Sequence, residues 1–250
     1  MTTDSTTISP RRLARIAGVF YLLVGIFGFF SEGFVDIKMY VAGNAAETAA
    51  NVASNASLVR LDVIAHLLDG TFFVLTAITL YLLLKHVNKT ASGTFVVLVT
   101  LAAGIIGLNA VFEFEGLRVA TDATYASAFG TAGSNALVLL LLDMQHYGTL
   151  AAQVFFGLWL APLGYVAYKS GMFPKALGIV LVAAAVSYLV DMFGAFLLPD
   201  LSKQIHGLAI IAPAIAEPWM VGYLLVKGVR SGLRIGHASI ASAPLVPSPV

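Results

Sequence analysis

The sequence predicts an all-α bundle of six transmembrane helices with both termini in the cytoplasm. Three observations carry that prediction: an excess of apolar residues, six long apolar stretches, and a one-sided distribution of lysine and arginine. Of 250 residues, 59% are hydrophobic and 11% charged, whereas a soluble domain carries roughly 25% charged residues. A water-soluble core cannot absorb that much apolar surface, so the lipid bilayer is the expected surrounding. The 14 basic and 13 acidic residues give a formal charge of +1, with no block of like charge suited to a nucleic-acid backbone, and nucleic acid is not an expected partner. There is no cysteine, which excludes disulfides, iron–sulfur clusters and thiol catalysis. Any metal site has to use histidine, aspartate and glutamate.

Spans are expected at about residues 14–31, 61–84, 94–114, 147–168, 176–198 and 207–226. Each is long enough, at ~1.5 Å rise per residue, to cross or nearly cross the ~30 Å hydrocarbon core. Arg11, Arg12 and Arg15 before the apolar run Ile16–Phe30 resemble the start of a signal peptide. However, Ser31, Glu32 and Gly33 follow with no small-x-small cleavage pattern, so the run reads as an uncleaved first span. Between the first two spans, the alanine-rich stretch Gly43–Ser57 has Glu47, Asn51 and Asn55 spaced four apart, which suggests an external helix on the bundle or the interface. The plainer reading is an ordinary capping helix.

Orientation follows from the basic residues, which are enriched in cytoplasmic loops near span ends. Arg11, Arg12, Arg15, Lys85, Lys89, Lys169, Lys175, Lys227, Arg230 and Arg234 fall on one side, and only Lys38, Arg60, Arg118 and Lys203 fall on the other. Residues 32–60 and 115–146 then face outward. Within the second of these connections, Ser134–Asp143 holds the apolar run Ala136–Leu142, too short to span, which predicts a re-entrant or interfacial helix leading into the fourth span. A crossing there would make seven spans and flip the C-terminus, against the basic residues that follow the sixth. Residues 1–10 are expected to be a disordered N-terminus, 11–234 the six-span domain, and 235–250, with Pro244, Pro247 and Pro249, a disordered tail. Pro162, Pro213 and Pro218 lie inside spans, where they kink helices or mark cavities.

Five runs carry a family resemblance: RRLARIAGVFYLL from Arg11, GNAAETAAN from Gly43, VFFGLWLAPLGY from Val154, YKSGMFPKALG from Tyr168 and YLVD from Tyr188. Over roughly residues 10–230 the chain resembles the bacterial membrane-protein family catalogued as domain of unknown function 4386. The resemblance implies a multi-span bacterial protein, for which the cytoplasmic (inner) membrane is the expected location, and transfers no activity, cofactor or catalytic residue.

Ionisable residues cost roughly 2.5 to 3.5 kcal/mol each at the centre of a span, so those retained there are the best functional pointers. Asp62, His66 and Asp69 follow an i, i+4, i+7 spacing that puts them on one face of the second span. Asn109 and Glu113 share a face near the outer end of the third, while Glu115 is a rim charge in reach of Arg118. Asp143, His146 and Gln153 open the fourth span on overlapping faces, Ser187 and Asp191 share a face of the fifth, and Glu217 lies deeper than His206 in the sixth. The expected picture is an outward-opening cavity lined by these carboxylates and imidazoles.

Two chemistries would use such a cavity. A divalent metal such as zinc could be held by His66 with Asp62 or Asp69 and groups from His146 or Asp191, leaving a position for an activated water and an enzyme acting on a lipid or small apolar substrate. Alternatively, Asp69, Asp191 and Glu217 could load and release protons in a transporter of a small solute, although no internal repeat of the transporter kind is found. The third reading is that these polar groups only satisfy one another and serve packing. His86 and His237 stand apart on the cytoplasmic side. Tyr21, Phe29, Phe30, Tyr81, Tyr147 and Tyr168 read as interface anchors, and Trp159 and Trp219 as packing residues.

Overall fold

The computed structural model describes residues 9–230; the expected disordered tail 235–250, and with it His237, lies outside the described residues, as do residues 1–8 of the expected disordered N-terminus. The first helix, α1 (Pro10–Phe30), begins where Ser9 accepts a hydrogen bond from the Arg12 amide and Pro10 takes the first turn, in which its missing N–H costs nothing. The helix does not stop at Ser31. It passes through a π-helical turn, Ser31–Val35, into α2 (Asp36–Met39), so that one rod of 30 residues runs from Pro10 to Met39. Then come α3 (Ala45–Ser54), α4 (Ala56–Leu84), α5 (Lys89–Thr121), α6 (Ala123–Ser170), α7 (Lys175–Leu197), α8 (Pro199–Ala209) and α9 (Ile211–Val226), with no strand among the described residues.

Six stretches are long and apolar enough to cross a membrane: Pro10–Met39, Ala56–Leu84, Lys89–Thr121, Ala123–Ser170, Lys175–Leu197 and Gln204–Val226. The surfaces of these rods keep large apolar side chains exposed, among them Phe29, Leu61, Val97, Ile179 and Val226. That is the arrangement of a chain whose outer face meets hydrocarbon. The protein is a multi-pass, all-α membrane protein.

The short helix expected over Ser134–Asp143 and the expected fourth span are a single rod in the structure. Nothing interrupts α6 from residue 131 to residue 170, which at ~1.5 Å per residue reaches about 60 Å, twice the hydrocarbon thickness. Continuity is possible because the polar residues that would have broken the span find partners. Asp143 accepts a hydrogen bond from Tyr40, Gln145 donates to Asp36 at 2.9 Å, and His146 stacks on the Tyr40 ring with centroids 5.0 Å apart. Burial, then the bond to Asp143, raises the Tyr40 phenol above its ordinary range, which keeps it the donor. The one break in α6 is at Gly130, whose φ of 71° lies in the left-handed region that glycine enters without strain.

Neighbouring helices pack in chain order, α4 on α5, α5 on α6 and α6 on α7, with α1 closing against α4 and α9. At the α6–α7 crossing, a Cβ placed on Gly164 would come within 2.7 Å of the Gly178 carbonyl, and the reverse holds equally, so this contact is built by two glycines. Two apolar cores result. The larger gathers Tyr21, Phe73, Leu80, Ile106, Trp159 and Met220; the smaller, at the end where α3 docks, gathers Val35, Met39, Val52, Val59, Leu117 and Val138. Along α4 the smaller core ends at Val59 and the larger begins at Phe73; along α5 the change falls between Leu117 and Ile106. A polar layer occupies the interval.

Candidate metal centre

That layer is built by two helices. On α4, Asp62, His66 and Asp69 recur on the inward face because 3.6 residues per turn bring i, i+4 and i+7 into register. On α5, Asn109 and Glu113 do the same. Packing of α4 against α5 brings Asp62, His66 and Glu113 together, at 0%, 4% and 5% exposure. His66 Nδ1 lies 3.4 Å from Glu113 Oε2 and 3.8 Å from Asp62 Oδ2. One ligand atom from each of the three residues lies within 4.8 Å of the others, and this is the only such group among the described residues.

The three are close without being satisfied. Both Asp62 oxygens, both His66 ring nitrogens and Glu113 Oε2 are buried with no aligned hydrogen-bond partner. Buried polar groups are almost always paired, because an unpaired one forfeits its hydration with no return. The separations have a simple reading: ligand bonds of ~2.0 to 2.1 Å arranged tetrahedrally put neighbouring ligand atoms about 3.3 Å apart. Two carboxylates and a neutral imidazole also balance a divalent cation, which makes the assembly neutral in a low-dielectric setting.

Around the centre, Ser31 is buried with an unpartnered hydroxyl and lies beside Asp62. It stands in the π-helical turn, which packs against α4. Such turns often occur at functional sites because they re-aim side chains inside a helix. Glu32 and Asp36 are electrostatic neighbours of His66. Ser31, Glu32 and Asp36 are not among the residues expected at the site, because the first span was expected to end at residue 31; the i, i+4 spacing of Glu32 and Asp36 is the signal in the sequence that points to them. His66 also lines a groove of about 530 Å³ between α4 and α5, whose walls include Leu67, Gly70, Ala103 and Gly107.

The other expected site residues sit elsewhere. Asp191 meets His206, with both carboxylate oxygens 3.0 Å from Nδ1. His146 is on Tyr40, Asp143 is bonded to the same tyrosine, and Asn109 donates to Thr149 at 3.1 Å. Asp69, further along the same face of α4, lines a cavity of about 160 Å³ shared with Glu32, Gln153 and Glu217. Glu217 accepts hydrogen bonds from Tyr21 at 2.8 Å and Tyr188 at 2.7 Å. Tyr21 is 2% exposed, so it is a partner of Glu217 and a core residue where an interface anchor was expected. Glu115 pairs with Arg118 at the exposed end of α5 at 2.8 Å.

Comparison with protein-family models matches residues 16–228 to the Domain of unknown function (DUF4386), and the chain belongs to that family. Neither the curated proteins nor the solved structures yield a match.

Proposed function

We propose that this member of the DUF4386 family is a membrane-embedded, metal-dependent enzyme acting on a lipid or small apolar substrate, with Asp62, His66 and Glu113 holding a divalent metal of the zinc class. The observation that carries the reading is the set of buried oxygens and nitrogens without aligned hydrogen bonds on three side chains that each offer one ligand atom within 4.8 Å of the others. Bound there, such a metal would supply Lewis-acid polarisation and an activated water. The chain's own contribution is threefold. Asp62 and Glu113 provide the compensating negative charge, the two apolar cores on either side exclude water, and the Ser31 hydroxyl provides a donor beside Asp62. The apolar groove that ends at His66 supports an apolar substrate entering from the hydrocarbon side.

Elemental analysis of the detergent-purified protein tests the reading. Near-stoichiometric zinc or another first-row metal is expected, and it should be lost in His66→Ala and Asp62→Asn variants that remain folded. A metal-free protein, even after supplementation, would sink it and favour the alternative of proton-coupled solute transport. The orientation belongs to the same proposal: an inner-membrane protein with both termini in the cytoplasm, supported by the ten basic residues on one side. Because the chain has no cysteine, single-cysteine variants report cleanly. His86→Cys should resist and Ala46→Cys should accept a membrane-impermeant thiol reagent on intact cells; the opposite pattern inverts the topology.

A further inference from the structure

The second cavity does not take part in the metal centre, and its chemistry is different. About 160 Å³ in volume, it lies among α1, the π-helical turn, α4, α6, α7 and α9. Its polar wall is Glu32, Asp69, Glu217 and Gln153, and its apolar wall includes the rings of Phe73, Phe156, Trp159 and Tyr188. The rings form a connected set: Phe73 meets Trp159 edge-on at 5.1 Å, Phe73 meets Phe156 at 6.0 Å, and Phe156 meets Tyr188 at 6.4 Å. Three carboxylates thus face one small space lined by neither lysine nor arginine. Glu217 accepts a phenolic hydroxyl on each oxygen. Asp69, 9% exposed, has a buried Oδ1 with no partner, and Gln153 has its Oε1 in the same condition.

Clustered carboxylates in a membrane interior are accommodated by holding protons or by a counter-charge, and a cation bound among them supplies the latter. Aromatic faces beside them add attraction for a cation that is bulky and weakly hydrated, the arrangement that recognises ammonium groups. At ~30 Å³ per water the space equals about five waters, which admits a small ammonium head and little else. It adjoins a larger cavity of about 500 Å³ that shares Glu32, Gln153, Tyr188 and Glu217 and extends to Asp191 and His206. We propose that the chamber formed by Glu32, Asp69, Glu217 and the surrounding aromatic rings is a binding site for a small organic cation, an alkylammonium group borne by a free solute or a lipid headgroup, entering past His206.

The test is titration of the detergent-purified full chain with tetramethylammonium chloride, read by calorimetry and by tryptophan fluorescence, since Trp159 lines the chamber. Saturable binding is expected, at least 10-fold weaker in Glu217→Gln and abolished in Gly28→Leu. A Cβ at Gly28 would have only Asp69 Oδ1 within 4 Å, at 3.9 Å, so a side chain added there starts into open space at the chamber wall. Both variants should keep wild-type metal content and melt within a few degrees of the wild type, which separates failure here from failure of the metal centre. Binding unchanged by either substitution, no saturable binding, or equal displacement by sodium at matched ionic strength would overturn the proposal. Competition by phosphatidylcholine nanodiscs and not by phosphatidylglycerol nanodiscs identifies the cation as a lipid headgroup; competition by free choline alone identifies a solute.

Discussion

Two histidines in this protein stand beside carboxylates, and they differ in whether the protein alone explains them. His206, its side chain 57% exposed, faces Asp191 with both carboxylate oxygens at 3.0 Å. Its ring is mostly exposed, and this one carboxylate is its hydrogen-bonding partner. His66, buried with Asp62 and Glu113, has more charge around it and less bonding: its ring nitrogens are near two carboxylates and aligned with neither. Proximity without hydrogen-bond geometry is what ligand positions look like when their lone pairs converge on a common point, and that contrast directs attention to His66.

The comparison breaks most sharply under chelation. A metal held at 100 times its dissociation constant stabilises the fold by about 2.7 kcal/mol, which at roughly 2 to 4 °C per kcal/mol corresponds to ~5–10 °C of melting temperature. Chelator treatment should therefore lower the melting temperature of the wild type by that much and leave His66→Ala unmoved; equal shifts in both would remove the distinction between the two histidines. Next in size is a change that touches neither. Gly164→Ala forces the α6–α7 crossing apart and should cost about 1–3 kcal/mol, with metal content per folded molecule unchanged in elemental analysis. A loss of metal there would mean the centre depends on packing well beyond its own two helices.

Replacing one donor to Glu217, Tyr188→Phe, should cost about 1 kcal/mol in thermal denaturation and leave metal content intact. The smallest effect is expected at the rim. His206→Ala removes a partly solvated pair worth roughly 0–1 kcal/mol and should change neither metal content nor melting by more than a degree or two. A large destabilisation at His206 would show the pair to be structural.

Periodicity alone placed Asp62, His66 and Asp69 on one face of their helix and Asn109 and Glu113 on one face of the next, because helical geometry is local. It left open which faces meet. His66 could equally have reached Asp191 or His146 from depth arguments; the packing of α4 on α5 selects Glu113, while α8 packing on α7 brings His206 to Asp191. The continuation of the first span through Ser31–Val35 was not legible, since Glu32, Gly33 and Asp36 look like a span end. The Asp36 carboxylate is met by a partner far along the chain, Gln145. Tyr21 was read by its type, an aromatic near a span end, and its bond to Glu217, 196 residues away, reverses that reading.

What the amino-acid sequence determined by itself is the membrane class, the six long apolar stretches, the family, and the faces on which ionisable residues recur. Each follows from composition or from a repeat of a few residues. Tertiary structure alone decided which carboxylates share the space around His66, which are capped by tyrosines, and where the cavities open. Those outcomes depend on contacts between helices, and rotating one helix against its neighbour by part of a turn changes every partner without changing any local pattern.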